Sequence, residues 1–165
     1  MENVSVHKLA LSNRSGTGSF AYAPVQNFNQ GMGSLVNSKN SALSRTLDVE
    51  TMTVDEFVRT RKIDRLDLMK IDIQGGEIGL LEGAVDTLAR FSPDLLVEVS
   101  PEDLSGVEKS SRDLLALLES NGYRIYELTS KGAPGKRLTL GEISPEYFSE
   151  NIFCTKSPLR LNSVL

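Results

Sequence analysis

The 165-residue chain has one cysteine, one histidine and no tryptophan. A single thiol, Cys154, excludes an intramolecular disulfide and any cysteine-built metal cluster within one chain. It lies in the apolar stretch NIFCT, where a buried core thiol is expected rather than a nucleophile. His7 alone excludes the usual histidine-rich zinc sites and argues against a Ser-His-Asp arrangement. No run of about 18 apolar residues occurs, so no membrane-spanning helix is expected. The N-terminal MENVSVHKLA lacks the charged-then-apolar pattern of a secretion signal, and a reducing, cytoplasmic setting is the expectation. Excess positive charge is also lacking. With 18 basic and 22 acidic residues, a net charge of -4 and a pI near 5.1, the chain has no basic field for a phosphate backbone, so no nucleic-acid partner is expected.

What the chain does have is a 39% hydrophobic and 24% charged composition, ordinary for a globular protein of one domain and one core. Residues 4–11 alternate as a strand, 13–18 carry turn chemistry, and 19–25 alternate again around Phe20 and Tyr22. Residues 26–44, rich in Asn, Ser and Gly, read as a long loop of the kind that binds ligands. Residues 47–52 read as a short strand. Thr53 and Glu56 have capping-box spacing for a short helix to about Thr60.

From residue 66 to 128 the pattern is strand, helix, strand, helix, strand, the signature of βαβ units in a parallel sheet. The strands fall at residues 66–73, 95–99 and 123–128. One helix is expected over 77–90, with Ile78, Leu81, Val85 and Leu88 on one face and Leu80 and Ala84 alongside. A second, capped by Ser110 or Ser111, carries a leucine stripe (Leu114, Leu115, Leu117, Leu118) and stops at Gly122. Residues 129–150 read as a long connection and 151–155 as a final strand. The fold class is α/β.

The segment LDLMKIDIQGGE, residues 66–77, delivers an aspartate, two glycines and a glutamate to the mouth of a helix. Open α/β sheets bind ligands outside the carboxyl ends of their strands. Asp72, between two isoleucines at such an end, needs partners or a ligand. Glu77, in the helix's first turn, is equally well explained as a capping group. Glu98, inside LLVEVS, converges on Asp72 if the two strands are neighbours, and otherwise pairs with a basic side chain. Such a pair suits proton transfer, a cationic ligand or a divalent metal. The glycines match neither a Walker loop nor the GxGxxG fingerprint.

The motifs KLALSN (8–13), GMGSL (31–35), VETMTVDEF (49–57), DLMKIDIQGGEIGLLEG (67–83) and PDLLVEV (93–99) together resemble the C-terminal part of the FkbM-type S-adenosylmethionine-dependent methyltransferases. The fourth block carries most of the resemblance, with two departures: Gln74 stands where the family usually has Glu, and Gly76 where it usually has Ala. The resemblance implies a Rossmann-like sheet in the order third, second, first, fourth, fifth, seventh, sixth. It implies that residues 1–165 are one partial domain without the first two strands, ending in a tail at 156–165.

The implied cofactor is S-adenosyl-L-methionine. Ser12 and Asn13 match the turn near its adenine end. Asp72 and Gln74 match the strand end facing the methyl group and acceptor, with Asp72 the candidate base. Gly31 and Ser34 belong to a loop over the site, with Glu98 on the substrate side. No metal is implied. The implied activity is methyl transfer, O-methyl favoured, to a small-molecule or glycan acceptor. Two other readings stay open: a non-catalytic module that forms a homodimer through the exposed edge of the 66–73 strand, and a metal-dependent hydrolase built on Asp72 and Glu98.

Overall fold

The structure, a computed structural model, describes residues 3–22, 33–35 and 45–158. Most of the expected 26–44 loop, with Gly31, and residues 159–165 of the expected tail lie outside the described residues. The described elements are β1 (Ala10–Leu11), β2 (Gly16–Tyr22), β3 (Arg45–Met52), α1 (Val54–Thr60), β4 (Leu68–Ile71), α2 (Glu77–Glu82) and α3 (Val85–Phe91), followed by β5 (Asp94–Val99), α4 (Pro101–Ser105), α5 (Ser111–Ser120), β6 (Arg124–Leu128), β7 (Pro134–Leu138) and β8 (Ser149–Thr155).

Two mixed sheets result, of order β1-β3-β2 and β4-β5-β8-β6-β7. This corrects the expectation of one parallel sheet. β4 and β5 are parallel, but β8 inserts antiparallel between β5 and β6, so the crossover through α5 spans one strand position. β1 is also shorter than the expected 4–11 strand, because only Ala10 and Leu11 pair, in parallel, with Thr51 and Met52. Each sheet presents an edge strand, β1 in one and β4 in the other.

β5 alternates buried and half-buried residues, with Leu95, Val97 and Val99 facing the core. Leu114, Leu115 and Leu118 of α5 and Leu80, Leu81 and Leu88 from α2 and α3 belong to the same core, as does the buried thiol Cys154, whose pKa burial pushes up. The Ser110 cap of α5 forms a complete capping box with Asp113, and Gly122 takes the left-handed conformation after the helix, at φ 84°. No helix of the described residues is long and apolar enough to cross a membrane.

The expected 77–90 helix is two helices. After Glu82 the chain closes on itself at Gly83, and α3 starts afresh at Val85. Val85, expected on the core stripe, is therefore 53% exposed, while Ala84 and Leu88 are fully buried. The new helix start is capped from outside. Asp55 of α1 accepts from the Thr87 amide at 2.7 Å and the Asp86 amide at 3.1 Å, and its own amide bonds to the Gly83 carbonyl at 3.0 Å. Asp55→Ala is expected to lower stability by about 1–2 kcal/mol, the cost of a lost helix cap, read as a lower urea midpoint with unchanged slope.

The α1 cap also differs from its expected form. Thr53 accepts from the Glu56 amide at 3.1 Å, but Glu56 does not return directly to Thr53. Ser15 bridges them, accepting from the Thr53 amide and donating to the Glu56 carboxylate. Two elements went unread in the sequence: α4, whose Ser100 cap and Pro at the helix start are ordinary start signals, and β7 within the expected connection.

Candidate functional site

β4 ends at Ile71, and the chain then turns through residues 72–76 into α2. Gln74 and Gly75 adopt left-handed conformations, φ 52° and 95°. The glycine accepts this freely, whereas the glutamine is held there by its surroundings. Glu77 supplies the hold. It is 3% exposed, and its Oε1 accepts from the amides of Ile73 and Gly75, each at 3.2 Å. Burial drives its pKa up, the backbone bonds draw it down and the Asp103 charge raises it, with a net rise. Its position is that of a structural acid inside the turn. From the other side Ser34, itself buried, donates to the Gln74 carbonyl at 2.8 Å and bridges to Ala21 of β2.

The turn brings Asp72 and Gln74 to a rim shared with Lys70 of β4 and Glu98 of β5. The Gln74 amide donates to Asp72 Oδ1 at 3.2 Å and to Glu98 Oε2 at 2.8 Å. Lys70 Nζ donates to Asp72 Oδ2 at 3.0 Å. Asp72 and Glu98 therefore converge, because β4 and β5 are parallel neighbours. The expected alternative is a Lys or Arg paired with Glu98; among the described residues Glu98 takes the Gln74 amide, and the nearby Lys70 ammonium is bonded to Asp72.

The two carboxyls are electrostatically opposite. Partial burial opposes ionisation of Asp72, but hydrogen bonds from Lys70 and Glu98, the Lys70 charge and the Gln74 amide outweigh it and hold its pKa below the ordinary value. Burial first, then the hydrogen bond and charge of Asp72 and the charge of Glu77, push Glu98 up to about 7 against the pull of Lys70. Among the described residues no group of three or more His, Cys, Asp or Glu is placed to hold a metal ion.

A cleft of about 640 Å³ opens beside this rim. One wall comes from β1 and the turn after it, including Leu11, Ser12 and Asn13. Lys70, Asp72, Gly75 and Gly76 with α2 line the cleft as well, as do Phe20, Ser34 and Leu35. Ser12, Asn13, Ser34 and Asp72 thus share one cleft. Gln74 and Glu98 adjoin it through Asp72, and Gly31 lies outside the described residues.

Ser12 is fixed by its amide bond to the Met52 carbonyl at 2.9 Å, and Asn13 reaches Glu82 at 3.4 Å. Sequence reasoning missed Lys70 and Phe20. Lys70 was findable, since residues two apart on a strand share a face and it stands two before Asp72. Phe20 was read only as a strand residue.

Searches of curated proteins and of solved structures found no match. The model of the methyltransferase FkbM domain matches residues 2–125. That span is well over half of the chain, which belongs to the FkbM methyltransferase family and so to a class of methyltransferase enzymes.

Proposed function

We propose that this chain is an S-adenosylmethionine-dependent O-methyltransferase domain whose cofactor lies in the cleft between the turn after β1 and the turn after β4. The observation that carries the reading is the cleft itself. Its lining includes Ser12 and Asn13, matched by resemblance to the adenine end, together with Asp72, matched to the methyl-transfer end.

The cleft's volume is within the range of small-molecule sites. Its apolar wall (Leu11, Phe20, Leu35) suits a purine, and its hydroxyl, amide and carboxylate groups suit a ribose and a charged tail. The residues present therefore fit the group. Ser12 and Asn13 would hold the adenosine, and Asp72 and Gln74 would face the reacting end. When bound, the sulfonium supplies an electrophilic methyl group, the carbon–sulfur electron pair staying on sulfur as an acceptor oxygen attacks. The chain's own part is alignment and proton handling at the rim.

The order β4-β5-β8-β6 supports the Rossmann-like reading, since it follows the family's fourth, fifth, seventh and sixth strands with an antiparallel seventh. The acceptor is a small molecule or glycan with a hydroxyl. The net charge of -4 speaks against nucleic acid. Calorimetric titration with S-adenosylmethionine tests the reading. The wild-type chain is expected to give saturable heat, and Asp72→Ala to weaken binding about tenfold through lost contacts at the rim. A wild-type titration without heat overturns the cofactor reading.

A second reading is favoured by one observation: β4 is an edge strand, and its Leu68 is 52% exposed. An open edge with an exposed leucine pairs readily with another strand, which makes this chain a homodimer through β4. Light scattering decides, and a stable dimer that takes up no cofactor would make the chain a non-catalytic assembly module.

A further inference from the structure

The hydrogen bonds at the rim give its two carboxyls different work. Both hydrogens of the Gln74 amide are engaged, one on Asp72 and one on Glu98. The second oxygen of Asp72 takes the Lys70 ammonium. Asp72 is therefore committed on both oxygens to donors that favour its ionised form. The Gln74 amide thus holds Asp72 and Glu98 side by side, and their proximity lowers the pKa of the first and raises that of the second. Two carboxyls in contact do not both ionise readily.

Resting on the methyltransferase reading of this site, we infer that Glu98 receives the acceptor's proton, and that Asp72 is the positioning residue that holds it in place. The charged groups facing Glu98 are Asp72 and Lys70 from the end of β4 and Glu77 from α2. Burial first, then two negative neighbours against one positive, raise its proton affinity towards neutrality, the range in which a carboxylate both accepts and releases a proton at working pH. Asp72, tied to Lys70, binds a proton too weakly for that task.

The step balances. The acceptor's O–H proton passes to the Glu98 carboxylate, the freed oxygen pair forms the new carbon–oxygen bond, the carbon–sulfur pair remains on sulfur, and water later removes the proton from Glu98. Gln74 suits this division of labour, because an amide donates to both carboxyls at once, where an ionised glutamate could donate to neither.

Carboxyl-carbon NMR of the full chain, labelled at Asp and Glu and assigned with Glu98→Gln, tests the pair without cofactor. Glu98 is expected to titrate near pH 7, and Asp72→Asn to lower that midpoint by at least about one unit, a tenfold loss of proton affinity. An ordinary glutamate midpoint for Glu98, or one that Asp72→Asn leaves in place, overturns the inference. Transfer of a tritiated methyl group from S-adenosylmethionine to trifluoroethanol supplies the chemical readout. The wild-type rate should rise through pH of about 7, and Glu98→Gln should lose that rise and fall about a hundredfold, while binding the cofactor as wild type does. A retained rise in Glu98→Gln, or no transfer from a chain that binds cofactor, also overturns it. A Glu98 midpoint near 7 in a chain that gives no cofactor heat overturns the methyltransferase reading of the cleft instead, and leaves the proton pair standing.

Discussion

Gly83→Ala is expected to lower the stability of the chain by about 2–3 kcal/mol, or roughly 5–10 °C in thermal midpoint. The cause is space, not backbone conformation, since Gly83 has an ordinary negative φ of -85°. An added Cβ would stand 2.3 Å from the Ser12 carbonyl oxygen and 3.2 Å from Asn13 Cα, and both are backbone atoms. Neither neighbour can swing aside as a side-chain tip does. Ser12 is bound to Met52 through its amide, and Gly83 to Asp55 through its carbonyl.

The strain therefore moves the turn after β1, which is one wall of the cleft, and cofactor heat should weaken together with stability. Gly79→Ala in the same helix is the control. Its nearest neighbour would be Asn13 Cγ at 4.0 Å, ordinary contact, and alanine there should stabilise the helix by about 0.5–1 kcal/mol. Equal losses for the two variants, read by thermal unfolding, would refute the close-packing account.

The same glycine shows where the sequence could be read and where it could not. The end of β4 was legible because its information is local. An apolar run ends in an acid and two glycines, and the alternation of β5 puts Glu98 on the face opposite Val97 and Val99. The cap of α5 and the Thr53 half of the α1 cap were legible for the same reason. The break between α2 and α3 was not. The periodicity from Ile78 to Leu88 supports one helix, and what meets its break is the Ser12 carbonyl from the turn after β1 and the Asp55 carboxylate from α1, both distant in sequence.

β7 was hidden differently. Pro134 and Gly135 are poor strand formers, and they are tolerated because β7 is an edge strand, where Lys136 and Arg137 also discourage further pairing. At the site, the convergence of Asp72 with Glu98 followed from the expected parallel pairing. The bridging role of Gln74 did not, since it needs the left-handed backbone that only the folded turn imposes. Glu77 had two readings of equal weight in the sequence, helix capping and a functional role, and its Oε1 instead braces the turn before α2 by accepting from the Ile73 and Gly75 amides.

Glu77→Ala is expected to destabilise the chain by about 2–4 kcal/mol, because the buried Gly75 amide and the part-buried Ile73 amide lose their acceptor together. Urea unfolding should show the midpoint drop, and NMR should show the Asp72 and Gln74 resonances losing their fixed positions as the turn opens. Glu77→Gln keeps a carbonyl oxygen at the same place and should stay within about 1 kcal/mol of wild type at neutral pH.

The acid and the amide part company with pH. The folded pKa of Glu77 lies above its unfolded value, so the folded state holds the proton more tightly. Its contribution is fully present below the unfolded pKa and declines as pH rises through the folded one. Wild type should therefore gain on Glu77→Gln as the solution is acidified towards about pH 4.5. A constant difference across that range would mean that Glu77 is ionised equally in the folded and unfolded chain, and that burial does not govern it. If the Gln variant instead unfolds as readily as the Ala variant, a neutral acceptor cannot hold the turn. The charge on Glu77, not its geometry alone, would then be what keeps Gln74 in its left-handed place between Asp72 and Glu98.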